Sequence, residues 1–307
     1  MAKKIVFMGT PMFAVPILKS LYQNGYPISD VYTQPPQKSQ RGQKINKSPI
    51  QGIAETLNLD FRTPKYLKDN KEEYEYFQSI DADLAIIVAY GQIIPKEFLT
   101  LTKKGFINIH ASLLPKWRGA APIQRSIMNL DTETGVSIMK IAEELDTGPV
   151  CNTYKINLEN NLNASDVADK LSLIAAEKIL DNIDNILEDR VKFIDQDHSK
   201  ATYASKILKA EGEINWNDEA KVIIGKINGL HPVPGAFFIY KGERYKILKA
   251  EIGNGHGKPG EIVSNYLEVV CGDNQTIKIK EIQRQGKKPQ NIGEFMLGSQ
   301  IKQGTVI

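Results

Sequence analysis

Residues 5–22 read IVFMGTPMFAVPILKSLY. A short apolar, β-rich run ends in a Gly9-Thr10-Pro11 turn, and helical spacing then places Val15, Leu18, Leu21 and Tyr22 on one face. This strand, tight turn and helix repeat in kind along the first half. Val31-Tyr32-Thr33 is a second short strand, and Ser48 to Leu59 is a helix aligning Ile50, Ile53, Ala54 and Leu57. Leu84 to Val88 is a near-continuous apolar strand of the kind buried on both faces in parallel sheets. Phe106 to Ile109 and Val136 to Ile141 read as further strands, with a helix between them from Ala121 to Met128. Ala164 to Leu187 is helical, with Val167, Leu171, Ile174, Ala175, Ile179, Ile183 and Ile186 in register. The alternation predicts a doubly wound, Rossmann-like α/β domain over residues 1–189.

Past residue 189 the pattern changes. Residues 190–207 are polar and weakly periodic and read as a linker. Residues 208–307 hold one helix, Glu219 to Asn228, and short strands at Gly235 to Tyr240, Tyr245 to Glu251, Gly260 to Ser264, Leu267 to Cys271 and Thr276 to Gln283. Gly, Asn and Asp turns separate them, the pattern of a small all-β barrel or sandwich.

With 41% apolar and 24% charged residues in 307, the composition is that of an ordinary globular protein. The amino-terminal apolar run is too short for a signal-peptide core or a membrane span, which predicts a cytoplasmic protein with no membrane partner. Cys151 and Cys271 are too few for a disulfide framework or a zinc cluster, and both read as reduced. The net charge of +3 sits entirely in residues 208–307, which carry 14 Lys and Arg against 11 Asp and Glu; the rest of the chain balances at 25 of each.

The densest chemistry lies in Phe106-Ile107-Asn108-Ile109-His110-Ala111-Ser112-Leu113-Leu114-Pro115-Lys116-Trp117-Arg118-Gly119-Ala120-Ala121-Pro122. Asn108 and His110 are two apart on a strand, so they share a face, and they lie at its carboxyl end, where open α/β sheets bind ligands. An amide and an imidazole side by side can polarise one carbonyl and handle one proton, as acyl transfer to an amine requires. Taken singly, His110 could be a satisfied core histidine and Asn108 a turn former. Asp146, in the turn-prone Leu145-Asp146-Thr147-Gly148-Pro149, can reach the same end of the sheet and orient or protonate His110. Where a dinucleotide enzyme has three spaced glycines, the first turn has only Gly9, so phosphate cradling there is poorly supported.

These runs resemble the folate-dependent formyltransferases. The Asn108-Ile109-His110, Ser112-Leu113-Leu114-Pro115 and Asp146 elements match the wider family. Arg118-Gly119-Ala120-Ala121-Pro122, Gly9-Thr10-Pro11, Leu145-Asp146-Thr147-Gly148 and Pro232-Val233-Pro234-Gly235-Ala236 narrow the resemblance to the methionyl-tRNA formyltransferases over nearly the whole chain. The resemblance implies a formyltransferase catalytic domain and an OB-like C-terminal β-barrel that contacts tRNA. It implies 10-formyltetrahydrofolate as co-substrate, initiator methionyl-tRNA as acceptor, no metal, and a monomer. It makes Asn108, His110 and Asp146 the catalytic trio. Ser112, Leu113, Leu114 and Pro115 would line the folate pocket, bordered by Tyr90 and Gly91.

No acidic residue falls between Asp30 and Glu55, while Lys38, Arg41, Lys44 and Lys47 punctuate a Pro, Gln, Ser and Gly-rich stretch. Four spaced bases can be simply a solvated loop. In the resembled family a loop at this position enters the tRNA acceptor stem, with Arg41 matching its key arginine, and Lys38, Lys44 and Lys47 would join it on phosphates. Lys278, Lys280, Arg284, Lys287 and Lys288 mark a second basic surface, although the barrel could serve only to pack on the catalytic domain. The sequence departs from the family pattern at Met12, at residues 34–40 and at Ala142-Glu143-Glu144. A sugar-nucleotide formyltransferase would share the trio but has no use for the basic loop. A purine-pathway enzyme would lack the barrel, a formyl hydrolase usually carries a different accessory domain, and a silent tRNA-binding protein would not need an intact trio.

Overall fold

Strand β1 (Ile5–Gly9), buried at every position, runs through the interior of a seven-stranded sheet in the computed structural model, which describes residues 3–38, 45–159, 161–299 and 301–307. The other strands are β2 (Ile28–Tyr32), β3 (Phe61–Arg62), β4 (Leu84–Val88), β5 (Phe106–His110), β6 (Glu133–Lys140) and β7 (Val150–Asn157), in the spatial order β7-β6-β5-β4-β1-β2-β3. From β3 through β5 neighbouring strands pair in parallel; β6 runs antiparallel to β5. The chain steps outward from β1 to β3 and then crosses back to β4, so the winding reverses between β1 and β4, the crevice where such sheets take ligands. The reversal is stitched by Thr10, whose hydroxyl donates to the Tyr90 carbonyl at 2.7 Å.

Helix α1 (Val15–Gln23) buries Ile17, Leu18 and Leu21. The expected face is therefore rotated: Ile17 replaces Tyr22, which is 41% exposed. Helix α2 (Pro49–Thr56) starts at Ser48, whose hydroxyl caps the Gln51 N–H. Helix α3 (Lys71–Ile80) was not legible from apolar spacing, because only Phe77 and Glu73 are buried on it. Its hold on the sheet is polar: the Glu73 carboxylate receives Arg62 Nε at 2.5 Å, Arg62 Nη2 at 2.9 Å and the Tyr32 hydroxyl at 2.8 Å. The 24-residue helix α5 (Ala164–Leu187) buries Val167, Leu171, Ala175, Ile179, Ile183 and Ile186 as the periodicity predicts.

The second compact unit comprises residues 120–134, 157–167 and 204–307. Its sheet is antiparallel, in the order β8 (Ala236–Tyr240), β9 (Glu243–Gly253), β11 (Thr276–Arg284), β10 (Glu268–Val270), with β12 (Gln290–Asn291) beside β11. This mostly antiparallel sheet is compatible with the expected OB-like barrel. Residues 260–264 form no strand; Glu261 and Ile262 make single bridges to Val306 and Val269. Ile247, Ile277, Ile279, Val269 and Phe238 fill the core with Ile223 and Ile227 of helix α6 (Ala220–Gly229). Helix α4 (Pro122–Met128) crosses α6 at two glycines: a Cβ would stand 2.7 Å from Leu130 Cδ2 at Gly225 and 2.6 Å from Met128 Cγ at Gly229. Among the described residues no helix is long and apolar enough to cross a membrane.

Arg125 on α4 grips Glu211 through Nη1 at 2.6 Å and Nη2 at 3.1 Å, and the Leu208 N–H adds a bond at 2.7 Å. The guanidinium, then that N–H, hold the Glu211 carboxyl below its ordinary pKa of 4.5. A carboxyl lowered by folding adds stability that is full above its unfolded pKa and is lost as pH falls through the folded value. Glu211→Gln should therefore lower the urea midpoint at pH 7, and the gap to wild type should close as the pH is taken below about 4. A gap that persists unchanged into acid would refute the assignment.

Candidate active site

Strand β5 is buried along its whole length, held between β4 and β6. Asn108 and His110 share a face, as the spacing of two requires, and are 8% and 6% exposed. Just beyond His110 the backbone turns under the control of Ser137 on β6, the residue paired with His110. The Ser137 hydroxyl donates to the Ser112 carbonyl at 2.7 Å and accepts from the Leu114 N–H at 3.1 Å. The Ser112 hydroxyl in turn donates to the Lys116 carbonyl at 2.6 Å. The Ser112–Pro115 turn is thereby fastened directly beside the histidine, with Ser112 and Leu114 buried and Leu113 and Pro115 partly open.

Trp117 adopts a left-handed backbone with φ of +61°, which delivers its carbonyl to His110 Nε2 at 2.9 Å. A carbonyl only accepts, so Nε2 carries a proton. Nδ1 then faces the Asp146 carboxylate, 3.6 Å from Oδ2. Asp146, also left-handed at φ +53°, receives the Gly119 N–H on Oδ2 at 2.8 Å and Asn108 Nδ2 on Oδ1 at 3.4 Å. The three residues of the sequence-predicted trio are thus brought together, with the carboxylate at their centre. The loop that carries Asp146 is packed against β6 so closely that a Cβ at Gly148 would sit 1.9 Å from the Lys140 carbonyl oxygen.

Tyr90 does not reach this cluster with its side chain. The ring is 1% exposed and packs among Tyr32, Leu67, Phe77 and Phe98, where burial pushes its phenol pKa up. Only its carbonyl serves the switch point, accepting from Thr10 and, at 3.3 Å, from Gln34 Nε2. Gly91, at φ +89°, lies beside the same Gln34 side chain. Of the basic loop, Lys47 is bonded to Glu55 at 2.9 Å. Gln37 and Lys38 pair antiparallel with Asn46 and Ile45, and Arg41 and Lys44 lie outside the described residues. Sequence reasoning passed over Gln196, which sits in the polar stretch assigned as a linker, is 8% exposed and touches the Asp146 loop. It also passed over the Trp117 carbonyl and the Gly119 N–H, which are backbone groups without a side-chain signature.

A buried amide, imidazole and carboxylate at the carboxyl edge of a doubly wound sheet can polarise a carbonyl and manage a proton, the equipment of group transfer to an amine. Residues 3–183 match the formyl transferase family and residues 206–300 match its C-terminal domain, so the chain belongs to the formyl transferase family. Across its whole length it is 69% identical to a methionyl-tRNA formyltransferase of Pelagibacter ubique (strain HTCC1062), covering 100% of this chain and 99% of that one. This bears out the resemblance carried by the motifs. Among solved structures, the N-formyltransferase from Helicobacter canadensis, in complex with folinic acid and dTDP-3-aminofucose, has the same fold. It superposes with a TM-score of 0.69 at 20% identity over 92% of this chain and 100% of that one. HypX from Aquifex aeolicus, in complex with tetrahydrofolic acid, matches with a TM-score of 0.68 at 16% identity over 97% of this chain and 48% of that one.

Gly148→Ala should force the Asp146 loop off β6 and destabilise the protein by about 1–3 kcal/mol in urea unfolding, the usual range for overpacking. An unchanged midpoint would mean that the loop can shift at no cost.

Proposed function

We propose that this protein transfers the formyl group of 10-formyltetrahydrofolate to the α-amino group of methionine esterified to initiator tRNA. The observation that carries the chemistry is the buried set of Asn108, His110 and Asp146 at the carboxyl end of β5. The whole-length identity with a methionyl-tRNA formyltransferase supports the tRNA-bound acceptor over the sugar-nucleotide acceptor that the trio alone would also serve.

The neutral amine attacks the formyl carbon, a new C–N bond forms and the carbonyl oxygen becomes an oxyanion. Asn108 Nδ2, only weakly held by Asp146 at 3.4 Å, is free to turn toward that oxygen. His110 Nε2 can exchange the Trp117 carbonyl for the oxyanion. Asp146 beside Nδ1 keeps the ring oriented so that Nε2–H donates to the oxyanion, and the amine proton, which Nε2 has no lone pair to accept, leaves to solvent. Collapse of the intermediate breaks the bond between carbon and N10 of the folate, and N10 recovers a proton, so the net transfer of one proton accompanies the formyl group. The turn from Ser112 to Pro115, together with the Tyr90 carbonyl and Gly91, would line the folate pocket. Lys38, Arg41, Lys44 and Lys47 would meet tRNA phosphates.

Transfer of labelled formyl from 10-formyltetrahydrofolate to initiator methionyl-tRNA tests this, with free methionine and an amino-sugar nucleotide in parallel. Asn108→Ala should lower kcat about 10²–10³-fold, the effect of removing one oxyanion donor. Arg41→Ala should raise KM for the tRNA and flatten the salt dependence of binding by about one unit of slope. Transfer to the sugar nucleotide and not to the tRNA would overturn the assignment.

A further inference from the structure

We propose that Gln196 is a positioning residue for formyl transfer, locking the loop that carries Asp146 to the turn that carries the Trp117 carbonyl; this rests on the formyl-transfer reading above. Its amide uses every hydrogen-bonding capacity it has. Nε2 donates to the Asp146 carbonyl at 2.9 Å and to the Gly148 carbonyl at 2.7 Å. Oε1 accepts from Arg118 Nε at 3.0 Å and Nη2 at 2.8 Å. Arg118 is 2% exposed, and its remaining arm, Nη1, lies 3.4 Å from His198 Nδ1.

The two segments joined by this amide are the two that hold the trio together. On one side of Arg118 the Trp117 carbonyl engages His110 Nε2, and on the other the Gly119 N–H engages Asp146 Oδ2. Across the amide, the carbonyls taken by Nε2 are those of the left-handed Asp146 itself and of Gly148 two residues on, and a left-handed conformation costs a non-glycine residue free energy and persists only where neighbours fix it. Arg118 also settles which way the amide points: flipped, the NH2 would face a guanidinium and the oxygen two carbonyls. Gln196 is itself anchored, since Ile194 exchanges both backbone hydrogen bonds with Val150 at 2.9 Å. A displacement of about 1 Å at Asp146 or Trp117 changes the reach of the His110 ring, and errors of that size cost about 10²-fold in rate.

Gln196→Glu removes the two donors while keeping the acceptor. The carboxylate keeps both Arg118 bonds but can donate to neither loop carbonyl. In the full chain with both substrates saturating, at a temperature well below the variant's own unfolding midpoint, which the oxygen now facing two carbonyls lowers, kcat should fall about 10²-fold with both KM values within about threefold of wild type. The 15N imidazole signals of His110 should move while those of His231 and His256 stay. In an Asp146→Asn background the same substitution should add little further loss, because both act through one carboxylate. Gln196→Met, of similar length and with no hydrogen-bonding amide, is run beside it and should shift the His110 signals in the same way. Wild-type kcat in Gln196→Glu, a loss that multiplies fully with Asp146→Asn, or unmoved His110 signals in both variants would overturn the proposal. Because the imidazole signals need no turnover, a wild-type protein that forms no formylated tRNA would fail the functional reading and leave the positioning result separately legible.

Discussion

The Asp146 carboxylate is 8% exposed, and a carboxylate withdrawn from water costs several kcal/mol unless donors meet it. Two donors arrive from separate parts of the chain, the Gly119 backbone in one turn and Asn108 on strand β5, and the His110 ring lies beside the carboxylate. Each is fixed by something else. Asn108 and His110 are fixed by a strand paired on both edges, and Gly119 follows the turn that begins at the Ser112–Pro115 segment fastened to Ser137. The loop geometry on the other side is equally constrained, since Gly148 has no room for a methyl group against Lys140. The site is therefore held in place around its buried carboxylate, and Asn108 and His110 need only local turns to meet an oxyanion.

The features visible in the sequence were those whose physics is written in side-chain spacing. Apolar runs of four and five residues marked β1 and β4, and the separation of two between Asn108 and His110 put both on one face at a carboxyl end. Asp146 was legible as a turn residue close enough after the strand ending at Ile141 to reach His110, and its membership of the trio came from the family resemblance. Helix α3 escaped because Glu73 holds it through Arg62 and Tyr32 and not through an apolar stripe. Strand β7 escaped for a related reason: its residues alternate between partly and fully exposed, so no buried run announces it. Tyr90 was placed at the pocket wall by its position after β4, but a left-handed Ala89 at φ +47° precedes it and its ring goes into the core.

The grouping of residues 120–134 with 204–307 shows a second limit of reading along the chain. Helix α4 follows directly on the Arg118–Gly119 turn of the site, yet its packing partner, α6, is about a hundred residues away. The sequence signal is the pair Gly225 and Gly229, spaced four apart on one face of α6. Glycine in a helix interior costs free energy relative to alanine, so two of them on one stripe indicate a close neighbour. Here that neighbour is the α4 backbone, with the Gln124 carbonyl 2.9 Å from a Cβ at Gly229.

Under the proposed function the chemistry and the grip on tRNA draw on opposite kinds of interaction. The trio works because water is kept away and each charge has a fixed partner. The basic loop would work in water, on phosphates, where affinity comes from released counterions and weakens as salt rises. Lys47 illustrates the difference: its bond to Glu55 joins side chains 56% and 37% exposed. A pair so solvated is held weakly enough that a phosphate can take the carboxylate's place. Under that reading Glu55 would keep Lys47 in position until tRNA arrives without competing strongly for it. The ladder between residues 37–38 and 45–46 fixes the base of the loop.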